Sequence, residues 1–67
     1  MVKIILGSPI RPIEIGEPAL IHKDAGLMRT SPVIAVSRIS ASEIRFETQN
    51  SQYVLRVVPV KEVRKAT

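Results

Sequence analysis

Five prolines, at positions 9, 12, 18, 32 and 59, interrupt this 67-residue chain. A proline inside a helix removes a backbone hydrogen bond and clashes with the preceding turn, so prolines limit where helices can form. No stretch of the chain combines apolar residues at the i, i+3, i+4 and i+7 positions with capping residues at both ends. The sequence therefore predicts an all-β fold.

The clearest strand extends from Ser42 to Thr48, where apolar and charged residues alternate. Successive side chains of a strand point to opposite faces, so this pattern predicts one buried face and one solvated face. The buried face would carry Ile44, Phe46 and Thr48, and the solvated face Glu43, Arg45 and Glu47.

A second strand, from Gln52 to Val60, is predicted to form a hairpin with the first. Asn50-Ser51 would supply the two central turn residues, since asparagine tolerates a positive φ. This register places Thr48 opposite Tyr53, Phe46 opposite Leu55, and Ile44 opposite Val57. It also places Arg45 opposite Arg56 on the outer face.

Three further strands are predicted upstream, over 2–6, 19–23 and 32–39. The segment 7–18 would be a long ordered loop, in which Ile13 and Ile15 close over one end of the core. Asp24-Ala25-Gly26 is a turn signal, and a three-residue loop over 40–42 is expected to join the third and fourth strands. Five short strands suggest one domain over residues 1–60, a small five-stranded SH3-like barrel with an OB-like barrel as the alternative, followed by a charged tail over 61–67.

Composition limits the chemistry available to the chain. It has no cysteine and a single histidine, His22, so neither disulfides nor the usual zinc ligand sets are possible, and no metal or other cofactor is expected. Glu43 and Glu47 lie over 13 Å apart on an extended strand, by the rise of about 3.3 Å per residue, so they cannot share a proton. These features predict a non-enzymatic protein. With no apolar run long enough to cross a bilayer, no membrane association and a cytoplasmic location are expected.

The last predicted strand is apolar on both faces, which is typical of a strand covered on both sides. Tyr53, Leu55 and Val57 would face the core. The other side chains of this strand would face outward, and Ile5, Val33 and Ile39 are expected to face outward in the same way. The outward residues, the candidates for a self-association surface, are Val54, Val58 and Val60. Coverage by barrel closure and the proline loop is the alternative to a homo-oligomer.

The net charge of +4 and the pI near 10.1 permit binding to nucleic acid. The candidate phosphate contacts are Arg45, Arg56, Lys61, Arg64 and Lys65. Interspersed glutamates and the presence of only one Tyr, one Phe and no Trp argue against base stacking.

The leading interpretation is a non-catalytic, self-associating binding module that acts on another protein. Its role would be regulatory or inhibitory, of the kind found among small phage and mobile-element proteins. The alternative is a sequence-tolerant nucleic-acid-binding protein.

Overall fold

The computed structural model describes residues 2–23 and 26–58, and over these residues the protein is all-β. Five strands follow one another around a closed barrel in chain order. They are β1 (Val2–Pro9), β2 (Pro18–Lys23), β3 (Gly26–Ser40), β4 (Glu43–Thr48) and β5 (Gln52–Val57). The prediction of a small five-stranded barrel, of the size and class of SH3-like and OB-like barrels, is confirmed.

Consecutive strands are antiparallel, so the fifth strand runs in the same direction as the first. Closure of the barrel therefore requires one parallel pair, and β1 and β5 form it, from Val2 beside Gln52 to Gly7 beside Val57. All other neighbouring strands pair antiparallel.

Two strands each change partner along their length. β1 pairs with β5 as far as Gly7 and then with β2 through Ser8 and Pro9. β3 pairs with β2 as far as Pro32 and with β4 from Val33 onward. The barrel is thus two sheets joined through β1 and β3. We call the one formed by β4, β5, Val2–Gly7 of β1 and the second half of β3 the large sheet.

Within the described ranges, seven buried apolar residues form the core, and they come from every strand and from the loop after β1. Ile21 and Leu55 are fully buried, and Phe46 is 3% exposed and stacks on the half-buried ring of Tyr53, with ring centroids 4.9 Å apart. The set is Ile5, Ile13, Ala19, Ile21, Val33, Phe46 and Leu55.

The loop between β1 and β2 covers one end of this core, as the sequence predicted, but through Ile13 alone. Ile13 is buried, whereas Ile15 is exposed beside Val33. The guanidinium of Arg38 donates a hydrogen bond to the carbonyl of Ile13 at 3.0 Å and helps to hold the loop in place. The loop is also shorter than predicted, since residues 7–9 belong to β1 and residue 18 begins β2.

The predicted register of the β4–β5 hairpin is wrong, because the centre of the turn lies one residue earlier in the chain than predicted. Phe46 lies opposite Tyr53, and Ile44 lies opposite Leu55. The backbone N–H of Thr48 bonds the carbonyl of Ser51 at 2.9 Å, so Gln49-Asn50 occupies the centre of the turn. The prediction depended on a positive φ at Asn50, and in the described part of the chain only glycines have one. Each partner changes by two positions, so every side chain keeps its predicted face.

The connection between β3 and β4 differs from the predicted one in its length. A two-residue turn, Ala41-Ser42, replaces the expected three-residue loop, and the strands accommodate it with an irregularity between Arg38 and Ser40. A second irregularity between Val33 and Ala35 leaves Ile34 half exposed. Bulges of this kind insert one residue and turn the strand without breaking the sheet. Val36 lies opposite Phe46.

Candidate interaction surface

The outward face of the large sheet carries the residues that the sequence singled out as functional. The register aligns them in rows across the strands. Glu47 lies beside Gln52, Arg45 beside Val54, and Glu43 beside Arg56. The parallel pairing with β1 extends these three rows to Val2, Ile4 and Leu6 respectively. Half of this face is therefore charged, and the other half is apolar.

The charged half is an alternating arrangement in which the positive and negative charges balance. The Nε of Arg45 donates a hydrogen bond to Oε2 of Glu43 at 2.9 Å. Arg56 lies directly across from the same glutamate on the neighbouring strand. With Glu47, these side chains comprise two positive and two negative charges. Because the Arg45 side chain is 60% exposed, its ion pair is a solvent-screened contact that contributes little to stability.

The predicted juxtaposition of Arg45 and Arg56 is wrong. The shift in the hairpin register places Val54 opposite Arg45 and Glu43 opposite Arg56. The repulsion expected between two facing arginines is therefore absent, and so is the need for a bound anion to relieve it. The other three candidate phosphate contacts, Lys61, Arg64 and Lys65, lie outside the described residues.

The apolar half of the face is centred on β1. Val2, Ile4 and Leu6 are 57%, 66% and 60% exposed, although all three belong to a regular strand. Ile4 lies beside Val54, which is half-buried. We call these four residues, Val2, Ile4, Leu6 and Val54, the apolar strip.

The predicted self-association residues are only partly on this strip. Val54 belongs to it, and Val58 follows the end of β5, is 37% exposed, and donates its backbone N–H to the carbonyl of Gly7 at 2.8 Å. Val60 lies outside the described residues. Ile5 and Val33, which were also expected on the second face, are 5% and 1% exposed and belong to the core. Ile39 is exposed, as expected.

The sequence did not identify β1 as the centre of the apolar strip. Residues 2–6 are apolar at four of five positions, so alternation does not reveal which side chains face outward. The only polar residue, Lys3, would ordinarily mark the solvent face. Its side chain instead lies on the inward-facing row beside Tyr53, with the ammonium 5.9 Å from the ring centroid of Tyr53. The distance is within the range of a cation–π contact, and the alternation of the strand leaves the outward positions to Val2, Ile4 and Leu6.

A shallow cleft of about 340 Å³ continues the same surface toward β3. Its lining includes Val2 and Val54 of the apolar strip, together with Arg45, Glu47 and Ser37. The cleft therefore combines apolar contact with polar groups at its margin, a composition typical of the edge of a protein–protein contact.

The single histidine and the carboxylates of residues 2–23 and 26–58 do not form a metal-binding cluster. His22 is an exposed strand residue opposite Leu27. No group of three or more His, Cys, Asp or Glu side chains in this part of the chain could hold a metal ion. The described residues also contain no helix long and apolar enough to span a membrane.

Comparison of the chain with protein-family models, with curated proteins and with solved structures finds no match.

Proposed function

We propose that this protein is a non-catalytic binding module that self-associates through the apolar strip and presents the rest of its surface to another protein. The observation that carries the proposal is the exposure of Val2, Ile4 and Leu6, three consecutive outward positions of one strand. Single exposed apolar residues are ordinary, but a contiguous row of them is typical of an interaction surface. A regulatory or inhibitory role suits a small barrel that acts by occupying a partner's surface.

Energetic considerations favour coverage of the strip. Full burial of a Val, Leu or Ile side chain contributes about 1.5–3 kcal/mol. Each of the three β1 side chains has more than half of its surface in water, so covering each one would add about 1–2 kcal/mol. A domain of this size has about 3–10 kcal/mol of total stability, so this gain is substantial. The balanced charges on β4 and β5 also reduce the repulsion that a net charge of +4 would otherwise cause between copies.

The first test is the mass of the protein in solution, measured by sedimentation or light scattering at micromolar concentration. The wild type is expected to be an oligomer and Ile4→Lys a monomer, because the lysine would place a charge in the middle of the contact. Leu27→Lys is the matched control, since Leu27 is 65% exposed against 66% for Ile4 but lies on the other sheet. This control should keep the wild-type mass. A monomeric wild type would contradict the proposal.

The nucleic-acid alternative is supported by the net charge of +4 and by the basic residues at 61, 64 and 65. Against it, the arginines of the outer face are interleaved with glutamates, and Phe46 and Tyr53 stack on each other on the core side of the sheet. The aromatic platform that single-stranded nucleic acid requires is therefore occupied within the barrel.

We expect wild-type retention of single-stranded DNA to be weak and to disappear near physiological salt, because only scattered phosphate contacts would contribute. A filter-retention or fluorescence-anisotropy titration at increasing salt measures this. The double variant Arg45→Glu with Arg56→Glu should behave like the wild type at physiological salt. Tight wild-type binding at that salt, abolished in the double variant, would instead establish the nucleic-acid function.

A further inference from the structure

The first half of β1 has a neighbouring strand on one side only, among the residues that the structure describes. Residues Val2 to Gly7 pair with β5. On the opposite side, β1 pairs with β2 only through Ser8 and Pro9. Among residues 2–23 and 26–58, the barrel therefore has a local open edge at Val2–Leu6, although its strand order is closed.

The hydrogen bonds at the other end of β1 indicate which backbone groups face this edge. The carbonyl of Gly7 accepts a hydrogen bond from Val58, after β5, at 2.8 Å. The N–H of Ile10 donates to the carbonyl of Leu20, on β2, at 2.9 Å. Because the N–H and C=O groups of successive strand residues point to opposite sides, odd-numbered residues of β1 face β5 and even-numbered residues face away from it.

The same alternation makes the apolar strip and the open edge coincide. Val2, Ile4 and Leu6 are even-numbered, so their backbone N–H and C=O groups point to the open edge. Their side chains are also the ones exposed on the outer face. A strand whose exposed apolar side chains coincide with backbone groups that no other described strand pairs is a template for adding another strand.

We propose that β1 pairs antiparallel with β1 of a second copy of this chain, about a two-fold axis through Ile4. Ile4 would lie opposite the partner's Ile4, and Val2 opposite the partner's Leu6. This inference rests on the proposed function to the extent that it specifies how the module self-associates. It goes beyond the proposed function because it assigns the strand, the direction and the register of the contact.

The register has the self-complementarity that a two-fold interface requires. All three facing pairs join residues whose backbone groups point to the edge, so each pair exchanges both of its hydrogen bonds. Each pair also brings two apolar side chains together on the outer face. Residues 2–6 contain none of the proline or bulge features that commonly block edge pairing, and the ammonium of Lys3 lies over its own chain's Tyr53.

Disulfide cross-linking tests the register directly, because the chain has no native cysteine. Facing hydrogen-bonded residues of antiparallel strands have Cα atoms about 5.5 Å apart, a separation that a disulfide spans. Ile4→Cys alone should form a covalent dimer under mild oxidation. Val2→Cys and Leu6→Cys should cross-link when mixed, whereas each alone should not, since its two copies would be about 13 Å apart.

Leu27→Cys is the control for chance collisions, because its exposure matches that of Ile4. We expect it to cross-link far more slowly than Ile4→Cys at equal concentration. Equal rates, or cross-linking of Val2→Cys with itself as readily as with Leu6→Cys, would overturn the proposed register. An oligomeric wild type without the selective cross-links would overturn this pairing and leave the proposed function standing. A monomeric wild type would overturn both.

Discussion

Phe46→Ala is expected to lower the free energy of unfolding by about 3–5 kcal/mol, which is about a third or more of the total stability of so small a domain. Phe46 is 3% exposed and stacks on Tyr53, so its removal leaves a cavity at the centre of the large sheet and an unsupported ring beside it. Urea denaturation followed by circular dichroism measures the effect. The experiment is best done in the Ile4→Lys background, so that association does not add to the apparent stability.

Leu27→Ala is the control for Phe46→Ala. Its side chain is 65% exposed, so its truncation should change the free energy of unfolding by no more than about 0.5 kcal/mol. If both alanine variants unfold at the same urea concentration, Phe46 does not occupy the core position described here.

Gly7→Ala is expected to lower the free energy of unfolding by about 1–3 kcal/mol, the range for overpacking a filled site. A Cβ at this position would lie 2.7 Å from the carbonyl oxygen of His22 and 3.0 Å from Cγ2 of Ile21. The oxygen belongs to β2, so it cannot move without disturbing the pairing of β1 with β2. The substitution would otherwise help, because glycine inside a strand costs about 0.5–1 kcal/mol relative to alanine.

The melting temperature measures this loss, which corresponds to a decrease of about 4–24 °C in a domain of this size. Ser8→Ala serves as the control, because it alters the next residue of β1 without adding an atom near β2. An unchanged or raised melting temperature for Gly7→Ala would show that the two strands are not in close contact at this point.

Side-chain faces were predictable from the sequence where polar and apolar residues alternate. Ile44, Phe46 and Glu43 all have the faces predicted for β4, because the period of a strand does not depend on its partner. The pairing of β4 with β5 was not predictable, since it depends on the backbone conformation of the turn around Asn50. The predicted register paired Arg56 with Arg45, whereas in the structure Arg56 lies opposite Glu43. The surface therefore carries an opposite-charge pair where a like-charge pair was predicted.

The first half of β3 was not predicted, and its residues explain why. Arg29, Thr30 and Ser31 are polar and interrupt the apolar pattern. Thr30 is nevertheless 8% exposed, because its Oγ1 accepts a hydrogen bond from the N–H of Ala19 at 3.0 Å and donates one to the carbonyl of Ser31 at 2.8 Å. Such a buried hydroxyl depends on a partner distant in the chain, which no local pattern indicates.

The candidate surface was predictable in kind but not in position. A second apolar face was expected from Val54 and its outward neighbours on the last strand, yet the exposed row lies mainly on β1. Residues 2–6 of β1 include apolar residues on both faces, so which side chains face the core depends on the register of β1 with β5. That information comes from the parallel ladder, whose paired residues are 50 positions apart.

The parallel ladder also has a consequence for the order of folding. Pairing Val2 with Gln52 closes a loop of 50 residues, whereas the β4–β5 hairpin closes over the short turn between Thr48 and Ser51. Since loop-closure entropy grows as about (3/2)RT ln n, the long loop costs about 2 kcal/mol more to close. The hairpins of β2 to β5 depend on local contacts and give β1 a surface on which to dock. The β1–β5 pairing that closes the barrel thus joins the residues farthest apart in the chain, and its formation depends most on the other strands being in place.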